Sequence, residues 1–141
     1  VWEKSLDQAH LDLRFDVLRQ GLPRGTEHYP GIDEDPRTTF LCAYENGELI
    51  GCSTLQVDRR EGCKFRIRGM AVRSEHRNKG VGTKIVKGLQ DFARSQGSGI
   101  WCNARIKAVP MYERCGFVII SDLFEIEGIG LHHDMQWKLS D

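Results

Sequence analysis

The 141-residue sequence contains no apolar run approaching the roughly 20 residues that span a bilayer. It also does not open with basic, then apolar, then small residues, so no secretory leader is expected at its start. None of the five cysteines (Cys42, Cys52, Cys63, Cys102, Cys115) forms a C-x-x-C pair. An odd number without motif spacing argues against a disulfide framework or a zinc site. Neither sign of charge is in excess, with 20 Lys and Arg against 20 Asp and Glu, so no general affinity for nucleic acid or acidic membrane is expected. Internal repeats, low-complexity tracts and linkers are lacking too. What remains is a reduced, cytoplasmic protein of one domain, residues 1–141.

What is there is ordinary in bulk and uneven in detail. Hydrophobic residues make up 40% and charged residues 28%, the balance of a globular chain. Three cysteines sit in strand-like apolar segments and read as small buried hydrophobes, with a catalytic thiol as the lesser reading. Between Arg73 and Lys87 five basic residues face a single acid, Glu75. From Glu27 to Asp35 there are four acids and no Lys or Arg. The neutral chain thus carries a cationic patch and an anionic one.

Leu6 to Gln20 reads as a helix, with Ser5 and Gln8 resembling a capping box, Leu11, Phe15 and Leu18 at helical spacing, and Gly21 as a stop. Val1 to Lys4 reads as the end of a first strand, incomplete because no initiator Met precedes it. Gly21 to Pro36 lacks periodicity and reads as a long, functional loop. Thr38–Tyr44 and Glu48–Val57 are strand-like and flank Asn46-Gly47, the strongest local hairpin pattern. Lys64–Val72 is a strand whose apolar parity changes at Gly69, from Phe65 and Ile67 to Met70 and Val72, which predicts a bulge. Val81–Ser95 is a helix with Val81, Ile85, Leu89 and Phe92 on one stripe. Gly99–Asn103 is a buried strand, Ala108–Cys115 a short helix, and Phe117–Glu125 and Leu131–Leu139 are the last strands. The order implies a mixed α/β sheet of six or seven strands flanked by helices.

The strand ending at Val72 feeds a glycine-containing turn that opens a helix, an arrangement that binds anions. Gly80 and Gly82 carry no side chain, so phosphates could approach the amides of Asn78 to Thr83, with Arg73, Arg77, Lys79 and Lys84 adding charge. A purely structural tight turn is an equal reading of those glycines alone. Two other phosphate motifs fail. After Gly82 the order Thr83-Lys84 is reversed for a Walker A loop, and Ile85 stands where a dinucleotide fingerprint needs its third Gly.

Arg77-Asn78-Lys79-Gly80-Val81-Gly82 does match another pattern: Gln or Arg, two variable residues, Gly, one variable residue, then Gly or Ala. In this it resembles the GNAT family of N-acetyltransferases. Arg68-Gly69-Met70-Ala71-Val72 resembles that family's bulged fourth strand. Asn103-Ala104-Arg105 with Tyr112-Glu113-Arg114-Cys115-Gly116-Phe117 resembles its fifth strand and following helix. Ile129 to Leu139 resembles the histidine- and methionine-containing tail of small bacterial members. The likeness runs from about Ile67 to Leu139, and the first half fits in element order only.

The resemblance implies the acyl-CoA N-acyltransferase fold and acetyl-CoA as donor, with coenzyme A as product. It implies that the backbone of Met70, Ala71 and Val72 binds pantetheine and the thioester carbonyl. It further implies that Arg77, Asn78, Lys79, Gly80, Val81, Gly82 and Thr83 hold the pyrophosphate. Asn103 would bind pantetheine or fix the gap between splayed strands, and Tyr112 would be the general acid. The chemistry asks for such groups: an amine attacks directly, charge grows on the carbonyl oxygen, and the departing thiolate needs a proton. His132 matches the tail histidine and is a candidate catalytic group in the acceptor cleft; by strand alternation His133 shares a face with Met135. Glu27, His28, Asp33, Glu34 and Asp35 lie on the long loop, either as base candidates that attract a cationic amine or as solvated loop residues. Glu27 and Asp33 are the substrate-binding candidates.

The expected activity is therefore acetyl transfer from acetyl-CoA to a primary amine, without metal, on a cationic small molecule or a lysine or N-terminal amine. A non-catalytic acyl-CoA-binding domain is the alternative, and the C-terminal strands are a candidate homodimer surface. Trp101 and Cys102 either border the acyl pocket or fill the core.

Overall fold

The computed structural model describes residues 1–3 and 5–139; the end of the expected first strand at Lys4 lies outside the described residues. The elements in chain order are β1 (Trp2–Glu3), α1 (Gln8–Leu18), β2 (Thr39–Leu41), β3 (Ala43–Glu45), β4 (Glu48–Arg60), β5 (Cys63–Val72), α2 (Val81–Ser95), β6 (Gly99–Arg105), α3 (Val109–Arg114), β7 (Val118–Ile119), β8 (Phe124–Ile126) and β9 (Gly130–Trp137). They form one sheet in the order β1-β2-β4-β5-β6-β9-β7, with β3 paired on β4 and β8 on β9. Among the described residues nine strands stand where six or seven were expected, because the predicted runs 38–44 and 117–125 are each broken in two.

Neighbouring strands are antiparallel except β5 and β6, which are parallel and joined by the α2 crossover. Asn46 and Gly47 both take positive φ (52° and 81°), as a two-residue hairpin turn between β3 and β4 requires.

Period-two alternation divides the core. Leu41, Leu55, Phe65, Ile67, Ile100 and Met135 point to one face, against Ile85, Val86 and Leu89 of α2 and Tyr112 of α3. Phe40, Cys42, Cys52 and Ala71 point to the other face, against Leu13 of α1. Each large apolar side chain removed from water in this way contributes about 1.5–3 kcal/mol. Gly88 sits where α2 crosses β2; a Cβ there would lie 2.7 Å from a Leu41 methyl, so any larger residue would require Leu41 or the helix to shift.

Helix α1 departs from expectation in its cap and its buried face. Asp7, not Ser5, caps it, its carboxylate accepting from the amide of His10 at 2.9 Å. The buried residues are His10, Leu13 and Arg14 rather than Leu11, Phe15 and Leu18. A buried arginine is what hid this face from a hydrophobic pattern.

Candidate active site

The parallel ladder between β5 and β6 stops at the pair Ile67–Cys102, although both strands continue, to Val72 and Arg105. The bulge expected at Gly69 accounts for part of this divergence. Cys52 pairs with Ala71 and Thr54 with Arg68, so the single residue Ser53 faces Gly69 and Met70. Gly69 takes φ +55°, and a Cβ there would come within 3.0 Å of Arg14 Nε and 3.1 Å of the Tyr29 ring. Only glycine combines that backbone with that close approach. Beyond Ile67 the β6-facing edge of β5, through Met70, Ala71 and Val72, is free of its sheet neighbour.

A cavity of about 210 Å3 occupies the opening. Ile67 to Met70 form one wall, Asn103 to Arg105 another, and Ala108, Tyr112, Ile126, Ile129 and His132 close it. Leu18, Arg19 and Tyr29 cover the α1 side. The long loop thus reaches the cavity through Tyr29, not through its acids.

Tyr112 is almost fully buried and packs on Phe117, ring centroids 5.2 Å apart. Burial, with Cys102 and Cys115 nearby, raises its phenol well above 10, so it stays protonated through the neutral range. His132, 3% exposed, stacks on Phe124. Its Nδ1 lies 2.8 Å from the Gly130 carbonyl, which can only accept, so Nδ1 carries the proton and Nε2 keeps a lone pair. Burial lowers the pKa of this imidazole, and Arg105 and Arg19 lower it further. His133 alternates to the Met135 face, where its Nδ1 bonds the Ser121 carbonyl at 3.1 Å.

Asn103 is committed on both ends of its amide. Its Nδ2 donates to Asp134, and its Oδ1 accepts from Arg66. Asp134 also holds Arg60 at 2.6 Å, and Arg66 holds Asp58 at 3.2 Å. The network ties Asn103 of β6 to Arg66 of β5 and Asp134 of β9. Arg60 and Arg66 both stack on Trp101, while Cys102 belongs to the core; neither Trp101 nor Cys102 lines the cavity.

A second cavity, about 660 Å3, lies where β5 runs into α2. It is lined by Val72, His76, Arg77, Asn78, Gly80, Val81, Gly82 and Thr83, and from α3 and the turn before it by Lys107, Pro110, Met111 and Arg114. Gly80 caps α2 in a left-handed conformation (φ 81°), no side chain caps the helix, and its first turn carries no acid. The first amides of α2 are therefore free for an anion, and Arg77, Lys107 and Arg114 add positive charge. Lys79 is exposed beside the turn and outside the cavity lining. Lys107 and Arg114 were missed in the sequence, because only tertiary packing brings α3 to the start of α2.

Neither Glu27 nor Asp33, the substrate-binding candidates, lines either cavity. The Asp33 side chain is 3% exposed and pairs with the fully buried Arg14, whose Nη1 and Nη2 lie 2.8 and 3.0 Å from its carboxylate. It also accepts from the Tyr29 amide at 2.9 Å. Glu27 accepts from the Gly25 amide at 2.8 Å and faces Arg24. The loop's acids hold the loop itself. His28, Asp33 and Glu34 bring ligand-type atoms within 4.8 Å of one another, but Asp33 is already taken by Arg14 and His28 bonds Glu34.

All five cysteines are free thiols. Burial pushes Cys42 and Cys52 up to about 12, which disqualifies them as nucleophiles.

A strand that parts from its parallel neighbour at a bulge, beside an uncapped helix start, is the layout implied by the motifs. The Acetyltransferase (GNAT) family model matches residues 5–117. The chain belongs to this family.

Among GNAT relatives, it is 33% identical over 97 residues to YitI of Bacillus subtilis, named an uncharacterized N-acetyltransferase, with 65% of each chain covered. It is 31% identical over 97 residues to the streptothricin acetyltransferase of Streptomyces lavendulae. That match covers 66% of this chain but only 50% of the relative, so the chain spans about half to two thirds of the length of these relatives. A solved structure of an aminoglycoside 6'-N-acetyltransferase complexed with coenzyme A superposes with a TM-score of 0.74 at 14% identity, covering 98% of this chain and 96% of that one. The GNAT acyl-CoA N-acyltransferase fold is thereby shared along nearly the whole chain.

No helix among the described residues is long and apolar enough to cross a membrane. Exposed Val118, Ile119, Leu123 and Leu131 lie on the C-terminal strands and their connections, the candidate dimer surface.

Proposed function

We propose that the protein is an acetyl-CoA-dependent N-acetyltransferase that acetylates a primary amine by direct attack in a ternary complex. The observation that carries this is the opening between β5 and β6, walled by both Tyr112 and His132. The free edge of β5 and the basic, uncapped start of α2 fit a coenzyme A donor. The same reading sets the reaction in the cytoplasm, where five free thiols stay reduced.

When bound, acetyl-CoA supplies an activated thioester. The backbone of Met70, Ala71 and Val72 hydrogen-bonds its pantetheine arm, and an amide freed at the bulge donates to the carbonyl oxygen as negative charge grows there. Amides of the turn from Arg77 to Thr83 hold the pyrophosphate, with Arg77, Lys107 and Arg114 as counter-charge. His132 Nε2 takes the proton of the attacking amine as the C–N bond forms. Tyr112 gives its proton to sulfur as the C–S bond breaks. An acetamide and coenzyme A leave.

Thermal unfolding with acetyl-CoA, coenzyme A, ATP and NAD in parallel tests the donor site. A ligand at about a hundred times its dissociation constant adds roughly 2.7 kcal/mol of stability, and only the coenzyme A species are expected to do so. Tyr112→Phe is expected to keep that stabilisation while thiol release with an amine falls by about 10²–10⁴-fold. No stabilisation at saturating acetyl-CoA would overturn the proposal.

A further inference from the structure

The acceptor side of the cavity is lined by Arg19, Arg66, Arg68 and Arg105, with His132, and no Asp or Glu among the described residues contributes to it. Seven arginines elsewhere or at its margin (Arg14, Arg24, Arg37, Arg60, Arg66, Arg73 and Arg94) each hold a carboxylate within 4.0 Å. Arg19, Arg68 and Arg105 hold none among the described residues, as is also true of Arg59, Arg77 and Arg114, which lie outside this cavity's lining. Among the described residues the Arg105 guanidinium reaches only the Leu18 carbonyl, at 2.9 Å, and that of Arg19 only the carbonyls of Leu18 and Thr26. Arg68 lies over the Tyr29 ring at 5.2 Å and takes no hydrogen-bond acceptor among the described residues. Partial burial and neighbouring arginines lower the pKa of both Arg68 and Arg105, the mark of cations short of counter-charge.

Nearby carboxylates cannot relieve this, because Asp33 is taken by Arg14, Asp58 by Arg66, and Asp134 by Arg60 and Asn103. Guanidinium groups grouped in a concave, half-desolvated wall favour a planar oxyanion that can pair bidentately. They disfavour a second positive charge on the acceptor. They also favour the neutral, nucleophilic form of an incoming amine, since like charges depress an ammonium pKa.

We propose that the acceptor is a small amine that also carries a carboxylate, and that Arg68, assisted by Arg105 and Arg19, binds that carboxylate and sets specificity. This rests on the acetyl-transfer reading above, and replaces the cationic acceptor that the acidic loop suggested in the sequence.

The test measures acetyl transfer by the acetyl-CoA-loaded protein to the twenty amino acids and to the matching amino-acid amides, with ethanolamine, phosphoethanolamine and putrescine alongside. At least one amino acid is expected to exceed its own amide, and putrescine, by tenfold or more in kcat/KM. Arg68→Gln should erase that ratio through KM with kcat little changed, and Arg68→Lys should restore part of it. Amides or putrescine used as well as the acids, or a ratio untouched by Arg68→Gln, would overturn the proposal. A preference for phosphoethanolamine over every amino acid would overturn the carboxylate in favour of a phosphate.

If nothing in the panel is acetylated, thermal stabilisation of the coenzyme A complex decides. An amino acid must stabilise more than its amide in the native protein and not in Arg68→Gln; otherwise the proposal fails. Failure of the donor reading is seen separately, as loss of the acetyl-CoA shift itself.

Discussion

Asp33→Ala separates a structural acid from a substrate-binding one. Arg14 is wholly buried, and three of its hydrogen bonds run to the Asp33 carboxylate (two) and to Thr54 Oγ1, with a fourth to the Glu27 carbonyl at 2.9 Å. Truncating Asp33 leaves the guanidinium buried with neutral partners only. Removing one member of a buried pair costs about 3–5 kcal/mol, a large part of the roughly 5–15 kcal/mol that holds a domain together. At about 3 °C per kcal/mol for a chain of this size, Tm should fall by roughly 10–15 °C.

Urea unfolding should show a lower midpoint with the m-value unchanged. Arg14→Met combined with Asp33→Ala should recover part of the loss, since no buried charge is then left unpaired. A loss below about 1 kcal/mol would refute this account of the pair. An Asp33→Ala protein of full stability with a raised KM for the amine would restore Asp33 to the acceptor site.

Two further predictions concern histidines. His132 must be neutral to accept a proton, so kcat/KM should rise with pH along an acid limb whose midpoint lies below 6.5, as its lowered pKa requires. His132→Gln should remove that limb and cost about 10²–10⁴ in rate, and Arg105→Gln should move the limb upward by removing a like charge; a limb unchanged in His132→Gln excludes His132 as base. His10 is buried on α1, and burial, then Arg14, lowers its pKa from 6.5 to about 4. As pH falls, the unfolded chain binds this proton first, so stability present above about 6.5 is lost down to about 4, by on the order of 3 kcal/mol. Denaturant titrations of the native protein and His10→Leu should therefore converge over that window; parallel curves would refute the assignment.

Much of the proposed donor site was legible because its requirements are local. A change of strand parity at Gly69, an Asn46-Gly47 turn and a glycine-rich helix start each state a backbone geometry within a few residues, and the bulge, the hairpin and the uncapped α2 stand where those residues are. The surroundings of the loop acids were not legible, for the opposite reason. The four acids of residues 27–35 looked like the charge of a binding surface, yet Asp33 is turned inward by Arg14, 19 residues away on a helix whose buried face is partly cationic. The alternation of Arg66 and Arg68 against Phe65 and Ile67 was present in the sequence and could have marked a cationic sheet face.

The sequence by itself determined the order of elements, the family, and the turn that suits a phosphate, because these depend on periodicity and on glycine conformations that neighbours impose. Only the tertiary structure decided the charge of the cavity wall, the tautomer of His132 and the partner of Asp33. Each of those depends on which group lies across a packed interface: Gly130 for His132, Arg14 for Asp33, and for Arg68 no carboxylate among the described residues.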